Sequence, residues 1–197
     1  VSADGGALEE VSHGERDEMF PTWSGDGDSL FFGNGPTDSA DVPASAIYQL
    51  NLKTNQLTTV NGSQGMWMPR LSPDGNYIYY RRAATAQGTQ FDVYRAPVLG
   101  GTPRAIIRDI DSNLAFSPDG KRFAFVRANN PEPGKYRLLS ANADGSAESV
   151  LRIAQSTRGA DPSRLSWSPD GKEIAYSFIA ASEVMGYVET FELASQK

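Results

Sequence analysis

The chain has 197 residues, and 18 Lys and Arg against 24 Asp and Glu give it a formal net charge of −6. This acidic balance argues against nucleic acid as a partner, since proteins that bind the phosphate backbone usually carry a basic surface. No basic run is longer than Arg81-Arg82, which is predicted to be a solvated strand end. No apolar stretch approaches the roughly 20 residues that cross a bilayer, so no membrane insertion is predicted.

Two residue types limit the chemistry further. The chain has no cysteine, which excludes disulfides, thiolate nucleophiles and cysteine-based zinc sites but is compatible with either the cytoplasm or the periplasm. Its single histidine, His13, argues against a Ser-His-Asp triad and against a histidine-rich metal centre. The prediction is therefore a non-enzymatic chain without a metal or cofactor.

Strand and turn patterns recur four times along the chain. A Ser-Pro-Asp-Gly motif, with glycine in place of proline in the first copy, precedes an alternating run of apolar residues each time. Proline presets φ, aspartate bonds nearby backbone and glycine accepts a positive φ, so the motif predicts a tight turn between antiparallel strands. The turn aspartates are predicted to bond their own backbone rather than a metal. The turn pairs are Asp26-Gly27, Asp74-Gly75, Asp119-Gly120 and Asp170-Gly171.

A third strand, a second turn and a short fourth strand follow in the first three units. The motif glycines, at positions 27, 75, 120 and 171, are 48, 45 and 51 residues apart. A repeat of this size is a supersecondary unit that buries its apolar faces by stacking on its neighbours. The pattern predicts one all-β domain, a β-propeller with four four-stranded antiparallel blades. The predicted blade units are 20–60, 68–107, 113–151, and 164–197 together with 3–11.

The two ends of the chain are predicted to share the last blade. The fourth unit ends after its third strand, whereas residues 3–11 have the turn and fourth-strand pattern of a unit that lacks its first three strands. Joining them would remove exposed sheet edges, which gives a closed four-bladed ring. An arbitrary chain boundary is one alternative. Another is a homo-oligomer in which two chains form an eight-bladed ring.

The repeat motif also carries a family resemblance. Residues 167–176, Trp-Ser-Pro-Asp-Gly followed by Ile-Ala-Tyr, together with Ala143-Asp144-Gly145, resemble the WD40-like PD40 repeats of TolB-type propellers. Residues 94–103 resemble propeller segments of large bacterial signalling proteins. Leu71 stands where the family usually has an aromatic residue, and four blades are fewer than the usual six to eight.

The resemblance implies a bacterial sensor or interaction module and favours a periplasmic location. A propeller motif is a scaffold, so it does not identify a ligand. The alternatives are an accessory propeller domain of a hydrolase or lyase and a self-assembling fragment without a ligand.

Binding residues are expected in the loops that precede the innermost strands, because these loops crowd one face of the channel. The second such loop displays Met66 and Trp67 close to Arg70, and these residue types are enriched at interfaces. Trp67 is either a contact anchor or a residue that packs against the adjacent blade. The expected partner is a protein or a small-molecule ligand. Polar residues expected at the same channel face are His13, Arg108, Asp111, Arg158 and Asp161.

Overall fold

The computed structural model describes residues 10–11, 18–34, 45–60, 62–85, 90–156, 161–178 and 187–193. These residues form fifteen β-strands. The strands are β1 (Glu18–Trp23), β2 (Ser29–Asn34), β3 (Ile47–Asn51), β4 (Gln56–Thr59), β5 (Met66–Leu71), β6 (Tyr77–Ala83), β7 (Phe91–Pro97), β8 (Arg104–Ile107), β9 (Ala115–Phe116), β10 (Arg122–Ala128), β11 (Lys135–Asn142), β12 (Ser149–Gln155), β13 (Pro162–Trp167), β14 (Glu173–Phe178) and β15 (Tyr187–Glu192). Within these ranges, no helix has the length and apolarity that a membrane crossing requires.

The strands form four antiparallel meanders in chain order. Blade 1 contains β1–β4, blade 2 contains β5–β8, blade 3 contains β9–β12, and blade 4 contains β13–β15. Successive meanders arranged around one channel are the blades of a β-propeller, so the predicted all-β, four-bladed propeller is confirmed. The strand that residues 3–11 were expected to add to blade 4 lies outside the described residues, except for residues 10 and 11.

Each blade has the predicted tight turn between its first two strands. The glycine N–H donates to the carbonyl of the turn serine at 2.8 to 3.0 Å, and the four glycines have φ between 68° and 77°. The serine hydroxyl donates to the turn aspartate at 2.5 to 2.7 Å. This hydrogen bond is the main reason that the pKa of each turn aspartate lies below its usual value. The aspartates therefore bond within their own turns.

Neighbouring turns also touch each other along one rim of the propeller. A Cβ built on Gly120 would lie 3.3 Å from Pro73 in the preceding blade, and one built on Gly171 would lie 3.8 Å from Pro118. In blade 1 the proline is replaced by Gly25, which packs against Gly75 of blade 2. Proline and glycine thus recur in the motif because the proline of one turn packs on the glycine of the next.

Three apolar cores lie between successive blades. The residues that pair the blades include Ile47 with Ile78 in the first core, Tyr79 with Phe123 in the second, and Leu138 with Ile174 in the third. Among the described residues, no fourth core joins blade 4 to blade 1. Each of the three described cores therefore joins blades that are neighbours in sequence, as in other repeat proteins.

In the two middle blades, the second strand contributes to two cores at once. In β10, Phe123 and Phe125 belong to the core shared with blade 2, whereas Ala124 and Val126 belong to the core shared with blade 4. Successive side chains of a strand point to opposite faces, and here both faces are covered. The continuous apolar run of this strand is the consequence.

Candidate binding site in the central channel

One register position of the innermost strands forms the wall of a central cavity. Four residues before each turn serine, the four blades carry Phe20, Met68, Asn113 and Arg164. All four side chains line the same cavity, which has a volume of about 240 Å³. Because a propeller places equivalent strand positions around one axis, these residues converge although they are far apart in the chain. We call this space the central cavity.

The innermost strands bend where they approach the central cavity. The pairing register shifts between Met19 and Thr22 in blade 1 and between Trp67 and Arg70 in blade 2. Phe20 and Met68 lie inside these two shifts, each before a proline, with φ of 59° and 54°. A left-handed conformation in a residue other than glycine costs about 1–3 kcal/mol. β-Bulges change the direction of side chains, and these two bulges lie beside the central cavity.

The remainder of the cavity wall is mostly apolar on the side of blades 1 to 3. Pro21, Pro69, Val93 and Leu114 contribute to it. Asn113 has a structural role as well, because its amide Nδ2 donates to the Leu165 carbonyl at 3.0 Å and its Oδ1 accepts from the Leu165 N–H at 2.6 Å. Asn113 therefore ties blade 3 to blade 4 at the wall of the cavity.

Arg81, on β6, is the buried cation of the central cavity. Only 9% of its surface is exposed, and its guanidinium carbon lies 4.5 Å from the centre of the Phe91 ring and 5.1 Å from that of Trp67. Nη2 donates to the Ile110 carbonyl at 2.9 Å and Nη1 donates to the Met68 sulfur at 3.5 Å. Nε has no hydrogen-bond partner among the described residues.

The expectation that Arg81 is a solvated strand end is therefore wrong. The segment before blade 3, which carries Ile110, lies against the end of β6, and aromatic rings of β5 and β7 cover the guanidinium group. Its neighbour Arg82 points to the other face of the strand and is exposed. The expectation is thus wrong for Arg81 only, because Arg82 is exposed as predicted.

The charges around the central cavity are unbalanced. Burial lowers the pKa of Arg81 to about 10, an effect that the negative charge of Asp111 opposes, so the guanidinium remains charged at neutral pH. Arg70 and Arg164 also line the cavity, whereas no Asp or Glu of the described residues does. The Arg164 guanidinium lies 5.8 Å from the centre of the Phe20 ring, which brings blade 4 into contact with blade 1.

The structure distributes the sequence-predicted binding residues over different environments. Arg70 lines the central cavity, whereas Met66 is buried in the core between blades 1 and 2. Trp67 is half-buried and packs edge-to-face on Phe20 of blade 1 and on Phe91, with ring centres 5.9 and 5.2 Å apart. Trp67 thus packs against the adjacent blade and also forms one side of the Arg81 site.

The remaining predicted residues lie on or near blade 3 or outside the described ranges. Asp111 precedes Ser112, which lines the cavity. The Asp111 carboxylate accepts a hydrogen bond from the Ala128 N–H at 2.7 Å, and burial raises the pKa of Asp111. Arg108 is exposed, and its carbonyl accepts a hydrogen bond from Arg127. His13 and Arg158 are outside the described residues. Asp161 accepts hydrogen bonds from Ser156 and Asn129.

Sequence reasoning missed most of the cavity wall. Phe20, Met68, Asn113 and Arg164 follow directly from counting back four residues from each turn serine. The burial of Arg81 has no comparable signature in the sequence, because it depends on the segment before the next blade. Within the described ranges, no group of three or more His, Cys, Asp or Glu residues is arranged to hold a metal ion.

Four antiparallel meanders arranged around a central cavity define the class of this protein as a β-propeller. No protein-family model and no curated protein sequence matches the chain. Among solved structures, TolB from Acinetobacter baumannii aligns with 98% of this chain and 45% of its own length, at 20% identity and a TM-score of 0.72. The putative TolB from Agrobacterium tumefaciens aligns with 95% of this chain and 62% of its own, at 20% identity and a TM-score of 0.69.

The fold is therefore that of a TolB-like β-propeller, and the chain spans about half the length of these TolB structures. Peptidase propellers are similar as well. The β-propeller domain of the Trilobed protease from Pyrococcus furiosus aligns with 92% of this chain and 56% of its own length, at 16% identity and a TM-score of 0.59. At these identities the likeness concerns the fold.

Proposed function

We propose that this chain is a non-enzymatic propeller module that recognises a protein segment or a small ligand in the central cavity. The observation that carries the proposal is the convergence of one register position from all four blades on a single cavity. Ligand sites are typically concave and mostly apolar, with a few polar groups that orient the ligand. The central cavity has this composition, with apolar walls and three arginines.

Energetically unfavourable features of the central cavity support the same proposal. The left-handed conformations of Phe20 and Met68 and the burial of Arg81 without an ion-pair partner are all unfavourable for stability. Strained backbone conformations cluster at binding sites, and two of the six left-handed non-glycine residues of the described chain line this cavity. The turns at the rim, by contrast, pack on one another with glycines at the positions of positive φ, where a glycine is unstrained.

A second candidate is the accessory propeller domain of a larger peptidase. It is favoured by the similarity to the propeller domain of the Trilobed protease and to acylaminoacyl peptidase, the latter at a TM-score of 0.58. In that case the central cavity would contact peptide on its way to a catalytic domain. Both candidates predict peptide binding in the cavity, and the sequence that flanks this chain in its gene distinguishes them.

A peptide selection tests the proposed function. Random heptapeptides displayed on phage would be selected on the immobilised chain, and the enriched peptides would then be assayed on Phe20→Ala and Trp23→Ala. The first variant removes a cavity ring, whereas the second removes a 59% exposed indole from the same strand. We expect the first to weaken binding about tenfold or more, as for a central contact residue, and the second to leave it unchanged.

The selection also has outcomes that would contradict the proposal. These are a lack of enriched peptides and equal binding to both variants. A thermal melt would show that Phe20→Ala is folded. If it is not, Met68→Ala removes another cavity side chain from a different blade and is expected to weaken binding in the same way.

A further inference from the structure

We propose that the central cavity binds the carboxylate of a ligand that is otherwise apolar, and that Arg81 is the principal anion-binding residue, assisted by Arg70 and Arg164. This inference rests on the proposed function and specifies its ligand. It depends on three features of the cavity: an incompletely bonded buried cation, two further arginines that line the same space, and the apolar wall beside them.

The hydrogen bonding of Arg81 is incomplete. A guanidinium has five N–H donors in a fixed fork, but the described partners are one carbonyl, that of Ile110, and one thioether, that of Met68. A thioether is a weak acceptor, and Nε has no partner among the described residues. Within the described part of the chain, Arg81 therefore has fewer acceptors than N–H donors.

The charge of Arg81 is likewise uncompensated. Buried charges in proteins are normally paired, because an isolated ion is costly to remove from water. Asp111 acts on Arg81 through its charge, but the two form no ion pair within the described structure. The Asp111 carboxylate instead accepts the backbone N–H of Ala128. An anion brought by the ligand would supply the missing counter-charge.

The shape of the site favours a carboxylate over a phosphate. The Trp67 and Phe91 rings lie near the guanidinium of Arg81. An arginine–carboxylate pair is planar and bidentate, and it forms along an edge of the guanidinium fork. The cavity of about 240 Å³ has walls that are mostly apolar, and the chain carries a net charge of −6, which disfavours polyanions.

Arg70 and Arg164 enlarge this site from two other directions. Arg70 belongs to β5 of blade 2 and Arg164 to β13 of blade 4, and both side chains are exposed at the cavity. Neither forms an ion pair with any described residue. We infer that their flexible, solvated ends close on the carboxylate after it reaches Arg81.

A pair of ligands with the same shape tests the proposal. Saturation-transfer NMR on the full chain would compare 3-phenylpropanoate with its uncharged isostere 3-phenylpropanamide. We expect the acid to bind with a Kd at least tenfold lower than that of the amide, since only the acid offers a charged bidentate acceptor. Inorganic phosphate at the same concentration is expected not to displace it. Equal binding of acid and amide, or displacement by phosphate, would overturn the proposal.

The matched variants are Arg81→Met and Arg82→Met, which remove the same charge from adjacent positions of β6. Arg82 is exposed and its guanidinium lies 5.8 Å from the centre of the Tyr94 ring, away from the residues that line the cavity. We expect Arg81→Met to abolish the preference for the acid and Arg82→Met to retain it. If Arg81→Met does not fold, Arg164→Met replaces an exposed cavity arginine and is expected to reduce the preference at least threefold. Loss of the preference in Arg82→Met alone would contradict the assignment.

Three tripeptides identify the source of the carboxylate. Acetyl-Gly-Leu-Phe with a free C-terminus, its C-terminal amide, and the amide of acetyl-Gly-Glu-Phe separate a terminal carboxylate from a side-chain one. Binding of either acidic peptide in preference to the neutral amide supports the proposal. If library peptides bind in the cavity but the acidic and neutral tripeptides bind equally, the proposed function stands and the carboxylate assignment fails. If neither a peptide nor 3-phenylpropanoate binds in the cavity, both fail.

Discussion

The turn rim and the central cavity are built from the same repeat, yet they differ in how far the copies agree. At the rim, formed by residues 24–27, 72–75, 117–120 and 168–171, each copy has the same serine, aspartate and glycine and the same hydrogen bonds. At the cavity, the equivalent position carries four different side chains, one aromatic, one thioether, one amide and one guanidinium. The position where the copies agree packs blade against blade, and the position where they diverge faces the central cavity.

The physical reason for this difference lies in what each region contacts. A rim turn meets the turn of the next blade, so one geometry must be repeated for the blades to stack. A cavity residue meets an open space shared by all four blades, where no repeat geometry is imposed. Differences between the copies of a repeat therefore indicate, even within a single sequence, which positions face a shared open space.

The largest effect on stability is expected at the rim, from Gly120→Ala. An alanine there must adopt φ near 68° and brings its Cβ to 3.3 Å from Pro73, which together should lower the free energy of unfolding by about 2–3 kcal/mol. Gly27→Ala is the matched control, because Gly27 has a similar φ of 75° but nothing within 4 Å of its Cβ position. We expect about 1 kcal/mol for the control. Equal losses in urea denaturation would show that contact between turns contributes nothing.

A smaller effect is expected at Tyr79, which lines the cavity and also connects two blades. Its hydroxyl donates to the Ala143 carbonyl of blade 3 at 2.7 Å, so Tyr79→Phe should cost about 1 kcal/mol at pH 7. Burial raises the pKa of Tyr79 to about 12. Above pH 10 the unfolded chain releases this proton while the folded chain retains it, so stability should fall as the pH rises from 10 towards 12.

The pH dependence distinguishes the hydroxyl from the ring. Tyr80, whose pKa burial also raises to about 12, remains in the variant, so the alkaline loss of stability should become smaller rather than vanish. Urea denaturation of both proteins between pH 7 and 11.5 measures the slopes. The same alkaline slope in wild type and Tyr79→Phe would contradict the assignment.

The smallest effect on stability is expected at the centre of the cavity, from Arg81→Met. A flexible apolar side chain replaces a buried cation that has no ion-pair partner, and such replacements are often neutral or stabilising. We expect a free energy of unfolding within about 1 kcal/mol of wild type. A loss of several kcal/mol would show that Arg81 is a structural residue and would erase the contrast between cavity and rim.

The fold could be predicted because its determinants are local. The Ser-Pro-Asp-Gly turns and the apolar run of β10 show their conformation within ten residues of sequence. The residues that line the cavity could not be predicted from local sequence alone. Phe20 and Arg164 are separated by most of the chain, and only a propeller brings them within reach of each other.

Individual residues show where the sequence was insufficient. Arg81-Arg82 has the pattern of an exposed strand end, and only packing by a distant segment buries the first residue and not the second. Trp67 could be assigned to contact or to packing from the sequence, and the structure places it against Phe20 and Phe91. Its packing depends on partners from two strands that no local pattern specifies.

The wall of the central cavity has one more consequence, for cooperativity. The described cores connect blades that are neighbours in sequence, whereas the contact of Arg164 with Phe20 at the cavity joins blade 4 to blade 1. A ligand that contacted both residues would add a second connection between the first and the last blade and so increase the cooperativity of unfolding. At a concentration 100 times its Kd, such a ligand would add about 2.7 kcal/mol to the stability of the folded chain.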